Sequence, residues 1–140
     1  MHQESPFHAF TRQLLEYTDR GELAAAGMLL SDDCTGVDLD AKGSPVTWRS
    51  REEWLVFSEK RFLDRQRLGT EWRTEIKGYS DVQTSELTYA AAQLYRRERG
   101  LDLTEASHGL ATLVWKRSNP VRYEWKVLRW HITWLKKEVL

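Results

Sequence analysis

The side chains best suited to chemistry in this sequence are one aspartate and two histidines. Asp38 follows the acidic pair at 32–33, while His108 and His131 lie in segments whose alternating polarity predicts neighbouring strands. A carboxylate beside an imidazole can act as a general acid/base pair, because histidine titrates near neutral pH. Asp38, His108 and His131 are therefore the candidate catalytic residues.

His131 also has a second interpretation. Within a strand it shares the parity of Trp125 and Val127, which favours the outer face of a sheet and a subunit interface over catalysis. On the same reasoning, Trp125 is expected to meet a partner subunit and Trp130 to lie on the other face of the sheet.

Aromatic and apolar side chains predict a pocket for a small, mostly apolar ligand. Such pockets combine apolar walls with a few polar groups that orient the ligand. Tyr17, Asp38 and Gln93 are the candidate polar groups, and Gln93 shares a predicted buried face with Tyr89 and Tyr95. Ordinary core filling would use the same aromatic residues. The apolar candidates are Trp54, Phe57, Leu113, Trp115, Trp130 and Ile132.

Other site signatures are missing from the sequence. Cys34 is the single cysteine, so neither an internal disulfide nor a cysteine-based metal site is expected. The acidic residues at 32–40 lack the glycine and the closing glutamate of a calcium loop, and no glycine-rich phosphate loop occurs. We expect neither a metal nor another cofactor.

The elements that would position these residues are three helices followed by strands. Ser5 and Pro6 are a typical cap and first helical position, and Ser50 with Glu53 forms a capping box. The predicted helices span 6–20, 23–30 and 51–67, with short extended segments at 35–38 and 46–48.

From Thr70 onward the polar and apolar residues alternate with period two. This pattern predicts an antiparallel meander of strands, with the charged residues at 95–99 solvated at a strand end. Residues 109–115 are apolar at both parities, so helices should cover one sheet face and a second subunit the other. The predicted strands span 70–77, 87–99, 106–117 and 121–135.

Length and composition support one folded domain over residues 1–140, and the order of helices followed by strands makes it α+β. The chain has 21 basic and 21 acidic residues and seven tryptophans, which argues against disorder and against binding to nucleic acid or a charged membrane surface. No apolar run approaches the ~20 residues needed to cross a bilayer. The first ten residues lack the apolar core of a secretion signal, so we expect a cytoplasmic protein.

Four stretches resemble the nuclear transport factor 2-like (NTF2-like) cone fold, which includes SnoaL-like proteins and the association domain of calmodulin-dependent kinase II. They are residues 15–23, 28–34, 50–57 and 123–133, the last reading YEWKVLRWHIT. The resemblance implies three helices on a curved, four- to six-stranded antiparallel sheet, a pocket inside the cone, and homodimers packed sheet to sheet. It also implies a range of roles, from isomerases, dehydratases, epoxide hydrolases and cyclases to proteins without a reaction.

The ketosteroid isomerases of this fold provide one specific comparison. Asp38 matches their general base, but Leu14 and Ala111 stand where the two oxyanion donors are expected. One such donor contributes roughly 3–4 kcal/mol to transition-state stabilisation, so we do not expect steroid isomerisation. The leading expectation is a small-molecule-binding protein without an assigned reaction. The alternatives are an acid/base enzyme acting on a polyketide- or steroid-like substrate, and a non-catalytic dimerisation module.

Overall fold

The computed structural model describes residues 4–119 and 124–140, and these form three helices and six strands. This is the α+β order that the sequence predicts. In chain order the elements are α1 (Pro6–Arg20), α2 (Leu23–Gly27), β1 (Leu30–Leu39), β2 (Pro45–Trp48), α3 (Arg51–Leu68), β3 (Glu71–Gln83), β4 (Leu87–Arg99), β5 (Thr104–Asn119) and β6 (Glu124–Val139).

The ends of the long helices follow from local hydrogen bonds. The Ser5 hydroxyl accepts from the Phe7 N–H at 3.2 Å, and the Ser50 hydroxyl accepts from the Glu53 N–H at 3.2 Å. The Glu53 carboxylate accepts from the Arg49 N–H at 2.6 Å, one residue before the partner of an ideal capping box. Both predicted helix starts are confirmed.

The second helix is shorter than predicted, because its expected last turn belongs to the sheet. Helix α2 ends at Gly27, and residues 31–33 continue β1. Leu30 is fully buried and pairs with Val127 of β6, while the Val127 N–H donates to the Leu29 carbonyl at 2.8 Å. Pairing with β6 and burial of Leu30 outweigh one more turn of helix.

The six strands of the described residues lie in the order β2-β1-β6-β5-β4-β3. The meander from β3 to β6 is antiparallel as predicted, whereas β1 pairs with β6 in parallel. Strand β3 runs to Gln83, six residues beyond the predicted end. The predicted start of the last strand, at 121, lies outside the described residues.

Helices cover one face of this sheet in the described part of the chain. On β4 the even-numbered side chains from Ala90 to Leu94 are buried, and the odd-numbered Tyr89 and Gln93 are exposed. The predicted buried face of Gln93 is therefore wrong, because the alternation has the opposite parity. No described helix is long and apolar enough to cross a membrane.

A bulge in β6 changes the parity of its side chains. Val114 pairs with Arg129 and Trp115 with Val127, so Leu128 has no partner on β5. As a result, Trp125 and Trp130 both lie on the helix side of the sheet. Trp125 packs edge to face against Phe7 of α1, with ring centroids 5.0 Å apart. The expectation that Trp125 meets a partner subunit is wrong for this reason.

Candidate functional site

A small, largely enclosed cavity lies between helices α1 and α3 and the inner face of the sheet. Its volume is about 30 Å³. A water molecule needs at least ~10–15 Å³, so side chains fill most of the cone. The lining residues are Leu15, Thr18, Asp19, Asp38, Trp48, Trp54, Phe57, Ser58, Arg61, Arg65, Trp72, Arg96, Trp130 and Ile132.

One wall of the cavity is aromatic. The Trp130 ring lies 6.0 Å from Trp54 and 6.1 Å from Trp48, and Trp48 stacks on Phe57 at 6.2 Å. Trp48 sits directly over Gly36, where a Cβ atom would come within 2.3 Å of the indole. The absence of a side chain at position 36 thus leaves room for the indole against β1.

Another part of the lining is a cluster of arginines around one indole ring. The guanidinium carbons of Arg61, Arg65 and Arg96 lie 4.4, 4.1 and 4.2 Å from the Trp72 ring centroid. Arg96 also lies 4.1 Å from the Trp134 ring. We call Arg61, Arg65, Arg96 and Trp72 the arginine cluster.

Arg96 is the most deeply buried cation of this cluster, with 4% of its surface exposed. Its Nε donates to the Thr74 hydroxyl at 3.0 Å, and its two Nη groups have no hydrogen-bond acceptor among the described residues. Burial lowers the pKa of Arg96 to about 10, and the charge of Arg61 lowers it further. Arg96 is still a cation at neutral pH.

Two carboxylates face the three cluster cations. Asp38 is 6% exposed and accepts from Arg61 Nη1 at 2.8 Å. Asp19 accepts from the N–H and the hydroxyl of Thr74, at 2.6 and 3.1 Å. Among the described lining residues, the cations exceed the carboxylates by one.

The cavity region also contains polar hydrogens without acceptors. The indole N–H of Trp130 and the Nε of Arg65 are buried with no hydrogen-bond partner among the described residues. Buried donors are normally paired, because an unpaired donor gives up its hydrogen bonds to water and gains no protein acceptor in return. The site therefore has a surplus of hydrogen-bond donors. Its lining holds one more cation than carboxylates, and Glu98, outside the lining, also acts on Arg65 and Arg96.

Five of the eleven residues predicted for the cavity or for catalysis inside it line the cavity together. Trp54 and Phe57 come from α3, Trp130 and Ile132 from β6, and Asp38 from β1. Asp38 and Ile132 are directly paired residues of neighbouring strands. The remaining predicted residues lie elsewhere.

The other predicted ligand-binding residues do not line this cavity. Leu113 and Trp115 are buried on the inner face, and Trp115 packs between Phe7 and Phe10, at 6.0 and 5.9 Å. Tyr17 packs against the core at its edge. Gln93 is exposed on the outer face of the sheet.

The two candidate catalytic histidines lie on the opposite face of the sheet from Asp38. His131 stands between Trp130 and Ile132, which both face the cavity, so it points outward. His108 is exposed, with Nε2 3.0 Å from the Glu138 carboxylate and its ring 5.2 Å from Tyr95. The predicted aspartate–histidine pair is not assembled in this chain.

The sequence analysis missed nine of the fourteen lining residues, among them all three arginines. Arg61 and Arg65 continue the stripe begun by Phe57 on α3 at intervals of four, which places them toward the sheet. Arg96 continues the even-numbered buried positions of β4, so its predicted solvation is wrong. The signal that the sequence offered was a charged residue at a position where the helix or strand periodicity predicts a buried side chain.

No protein-family model matches the sequence, and no curated protein matches it. ActVI-ORFA from Streptomyces coelicolor has a TM-score of 0.76 at 14% identity, covering 91% of each chain. LinA-type3, a hexachlorocyclohexane dehydrochlorinase from Novosphingobium barchaimii, has 0.75 at 12%, covering 94% of this chain and 84% of that one. An NTF2-like protein with a cystatin-like fold from Novosphingobium aromaticivorans has 0.70 at 13%, covering 90% and 80%. The chain has the NTF2-like fold.

The NTF2-like fold is shared by enzymes, such as the dehydrochlorinase, and by proteins of unknown function. A calmodulin-dependent kinase II hub and the beta subunit of a benzoate dioxygenase have it as well. At these identities the likeness establishes the fold, while ligand and reaction must be argued from the site.

Proposed function

We propose that this NTF2-like chain binds a small organic molecule with an apolar body and an anionic group, with no reaction assigned. The apolar body would lie against Trp54, Trp130 and Ile132. The anionic group would lie at Arg96 and Arg61. The observation that carries the proposal is the buried Arg96 guanidinium, whose Nη groups have no acceptor among the described residues.

A carboxylate is the group that best meets the needs of this site. It has two oxygens that accept paired hydrogen bonds from a guanidinium, and its charge offsets the cost of burying Arg96. A wholly apolar ligand would leave Arg96 and the Trp130 indole N–H without acceptors. The mostly apolar ligand expected from the sequence is therefore refined by one anionic group.

An acid/base enzyme remains the second candidate function, supported by Asp38. This carboxylate lines the cavity, where a general base would have to lie. Its neighbour there is Arg61, at 2.8 Å, and the histidines are on the other face. Such an enzyme would use Asp38 with arginine in place of the expected histidine.

We also propose a homodimer formed through the outer face of the sheet, and this proposal covers the dimerisation-module alternative. Side chains on strands β4, β5 and β6 form a patch of nine residues, and Arg129 carries the one formal charge in it. Tyr89 and Leu110 are 50% and 47% exposed there. In rows across β4, β5 and β6 the patch is Tyr89-Val114-Arg129, Ala91-Thr112-His131 and Gln93-Leu110-Thr133.

Calorimetric titration with a carboxylate and its neutral amide tests the ligand proposal. We expect 1-naphthoate to bind at least tenfold more tightly than 1-naphthamide, and Arg96→Gln to remove this preference. Arg97→Gln is the matched control, because Arg97 neighbours Arg96 but is exposed. Circular dichroism would verify that both variants fold.

Two results would contradict the ligand proposal. One is equal affinity for naphthoate and naphthamide in the wild-type protein. The other is unchanged naphthoate affinity in a folded Arg96→Gln variant, since the charge that carries the proposal would then have no role.

A further inference from the structure

Trp72 separates the enclosed cavity from a much larger open groove. The groove lies between α1 and β3 and has a volume of about 990 Å³. The residues that line both spaces are Leu15, Asp19 and Trp72. This shared wall is the boundary between a space too small for an organic ligand and one open to solvent.

Of the three residues in this wall, Trp72 is the one that neither full burial nor a hydrogen bond holds in place; its contacts are with the three guanidinium groups. Leu15 is buried in the core, and two hydrogen bonds to Thr74 hold the Asp19 carboxylate. Trp72 is partly exposed and donates no hydrogen bond to a described residue. It is the second residue of β3, an edge strand that is paired on one side by β4.

The Trp72 ring also makes the contacts that an aromatic ligand would make. Three guanidinium groups lie within 4.4 Å of its centroid, so the indole places its π-electrons among three cations. The indole contributes no negative charge, however. An aromatic carboxylate in the same position would keep the cation–π contacts and add the acceptors that Arg96 lacks.

We propose that Trp72 is a displaceable plug in the position of the ligand's ring, and that the ligand is a planar aromatic carboxylate entering through the α1–β3 groove. This inference rests on the proposed function. The indole would turn out of the arginine cluster into the groove as the ligand enters. An empty cavity of ~150 Å³ holds a benzene ring, so vacating the space of an indole makes room for an aromatic ligand.

Fluorine NMR of protein labelled with 5-fluorotryptophan would follow the indole directly. The Trp72→Phe variant identifies the Trp72 resonance by its loss. On titration with 1-naphthoate we expect this resonance to move toward the position of a solvent-exposed indole. Cyclohexanecarboxylate, which is not planar, should bind at least tenfold more weakly.

A truncation provides an independent measurement. Trp72→Ala opens the plug, so we expect its affinity for 1-naphthoate to rise about tenfold and association to become faster. Trp125→Ala is the control, because it removes an indole that packs on Phe7 outside the cavity. Its naphthoate affinity should equal that of the wild-type protein.

The outcomes separate this inference from the proposed function. If wild-type protein binds naphthoate but the Trp72 resonance stays in place and Trp72→Ala gains nothing, the plug is wrong and the anion site stands. If the Trp72→Ala variant binds naphthoate and the wild-type protein does not, the ligand does not displace the indole, and the displaceable plug is again contradicted. Equal affinity for cyclohexanecarboxylate and 1-naphthoate would contradict the proposal that the ligand is planar and aromatic. If neither protein binds naphthoate, the proposed function itself fails.

Discussion

Arg96 carries its charge in a part of the protein from which water is almost excluded. Burial lowers its pKa to about 10, which still leaves it protonated across the neutral range. A carboxylate ligand is also ionised there, because carboxylic acids titrate near pH ~4. The charges of both partners are therefore constant between pH 6 and 9.

This constancy predicts the pH dependence of binding. We expect naphthoate affinity to be flat from pH 6 to 9 and to fall as the pH rises through about 10, where Arg96 loses its proton. Calorimetry at each pH, with circular dichroism to confirm folding, measures this. A loss of affinity between pH 6 and 7.5 would instead indicate a histidine as the anion-binding group, because histidine titrates there.

Asp38 acts on the same site as an internal counter-ion. Its carboxylate accepts from Arg61 at 2.8 Å and repels a second anion in the cavity. We expect Asp38→Asn to raise naphthoate affinity about tenfold, or ~1.4 kcal/mol. Asp64→Asn is the control, because Asp64 accepts from Arg67 at 3.0 Å on the exposed side of α3. Unchanged or lower affinity in Asp38→Asn would show that Asp38 does not compete with the ligand.

At the scale of elements, the end of α1 is packed directly against α3. Gly21 ends α1 with φ +76°, and a Cβ atom there would lie 2.3 Å from the Phe62 ring. Substitution therefore adds a clash to the strain of a left-handed backbone. Gly43 has a similar φ of +84° with no atom within 4 Å of its Cβ position, so it provides the matched comparison.

We expect Gly21→Ala to lower the free energy of unfolding by ~2–4 kcal/mol and Gly43→Ala by ~1–2 kcal/mol. The smaller figure is the cost of a left-handed alanine, and the difference is the cost of moving Phe62. Urea denaturation of both variants measures the two values. Equal losses would mean that α3 adjusts to the added methyl group without cost.

The bulge in β6 shows why element-scale geometry decides the site. Because Leu128 of β6 has no partner on β5, Val127 and Trp130 come to the same face, although an odd number of positions separates them in sequence. Strict alternation would have sent one of them outward. Pairing with β5 and burial of both side chains favour the bulge over a regular ladder.

At the scale of the whole molecule, the outer sheet face is the surface on which the proposed homodimer depends. We expect wild-type protein to sediment as a dimer at micromolar concentration and Leu110→Lys, in the nine-residue patch, as a monomer. Val56→Lys is the control, because Val56 is 66% exposed on α3, away from the sheet. A monomeric wild-type protein would contradict the dimer, and a dimeric Leu110→Lys would place the interface elsewhere.

Much of the fold could be predicted from short-range signals. The caps at Ser5 and Ser50 and the period-two alternation after Thr70 depend on neighbouring residues, so the sequence shows them directly. The end of α2 and the bulge in β6 could not be predicted, because each depends on pairing with a distant strand. Of the site, Asp38 and three wall aromatics, Trp54, Phe57 and Trp130, were predicted, whereas Trp48 and the arginine cluster were not.

The sequence by itself determined the order of helices and strands, the number of aromatic side chains available to line the cone, and the presence of Asp38. What the tertiary structure decided is which charges share one space. Arg61 and Arg65 on α3 meet Arg96 on β4 around Trp72 of β3, and no local pattern encodes that meeting. The energy of a buried charge depends on neighbours far away in sequence, so the folded chain was needed to turn an apolar pocket into an anion site.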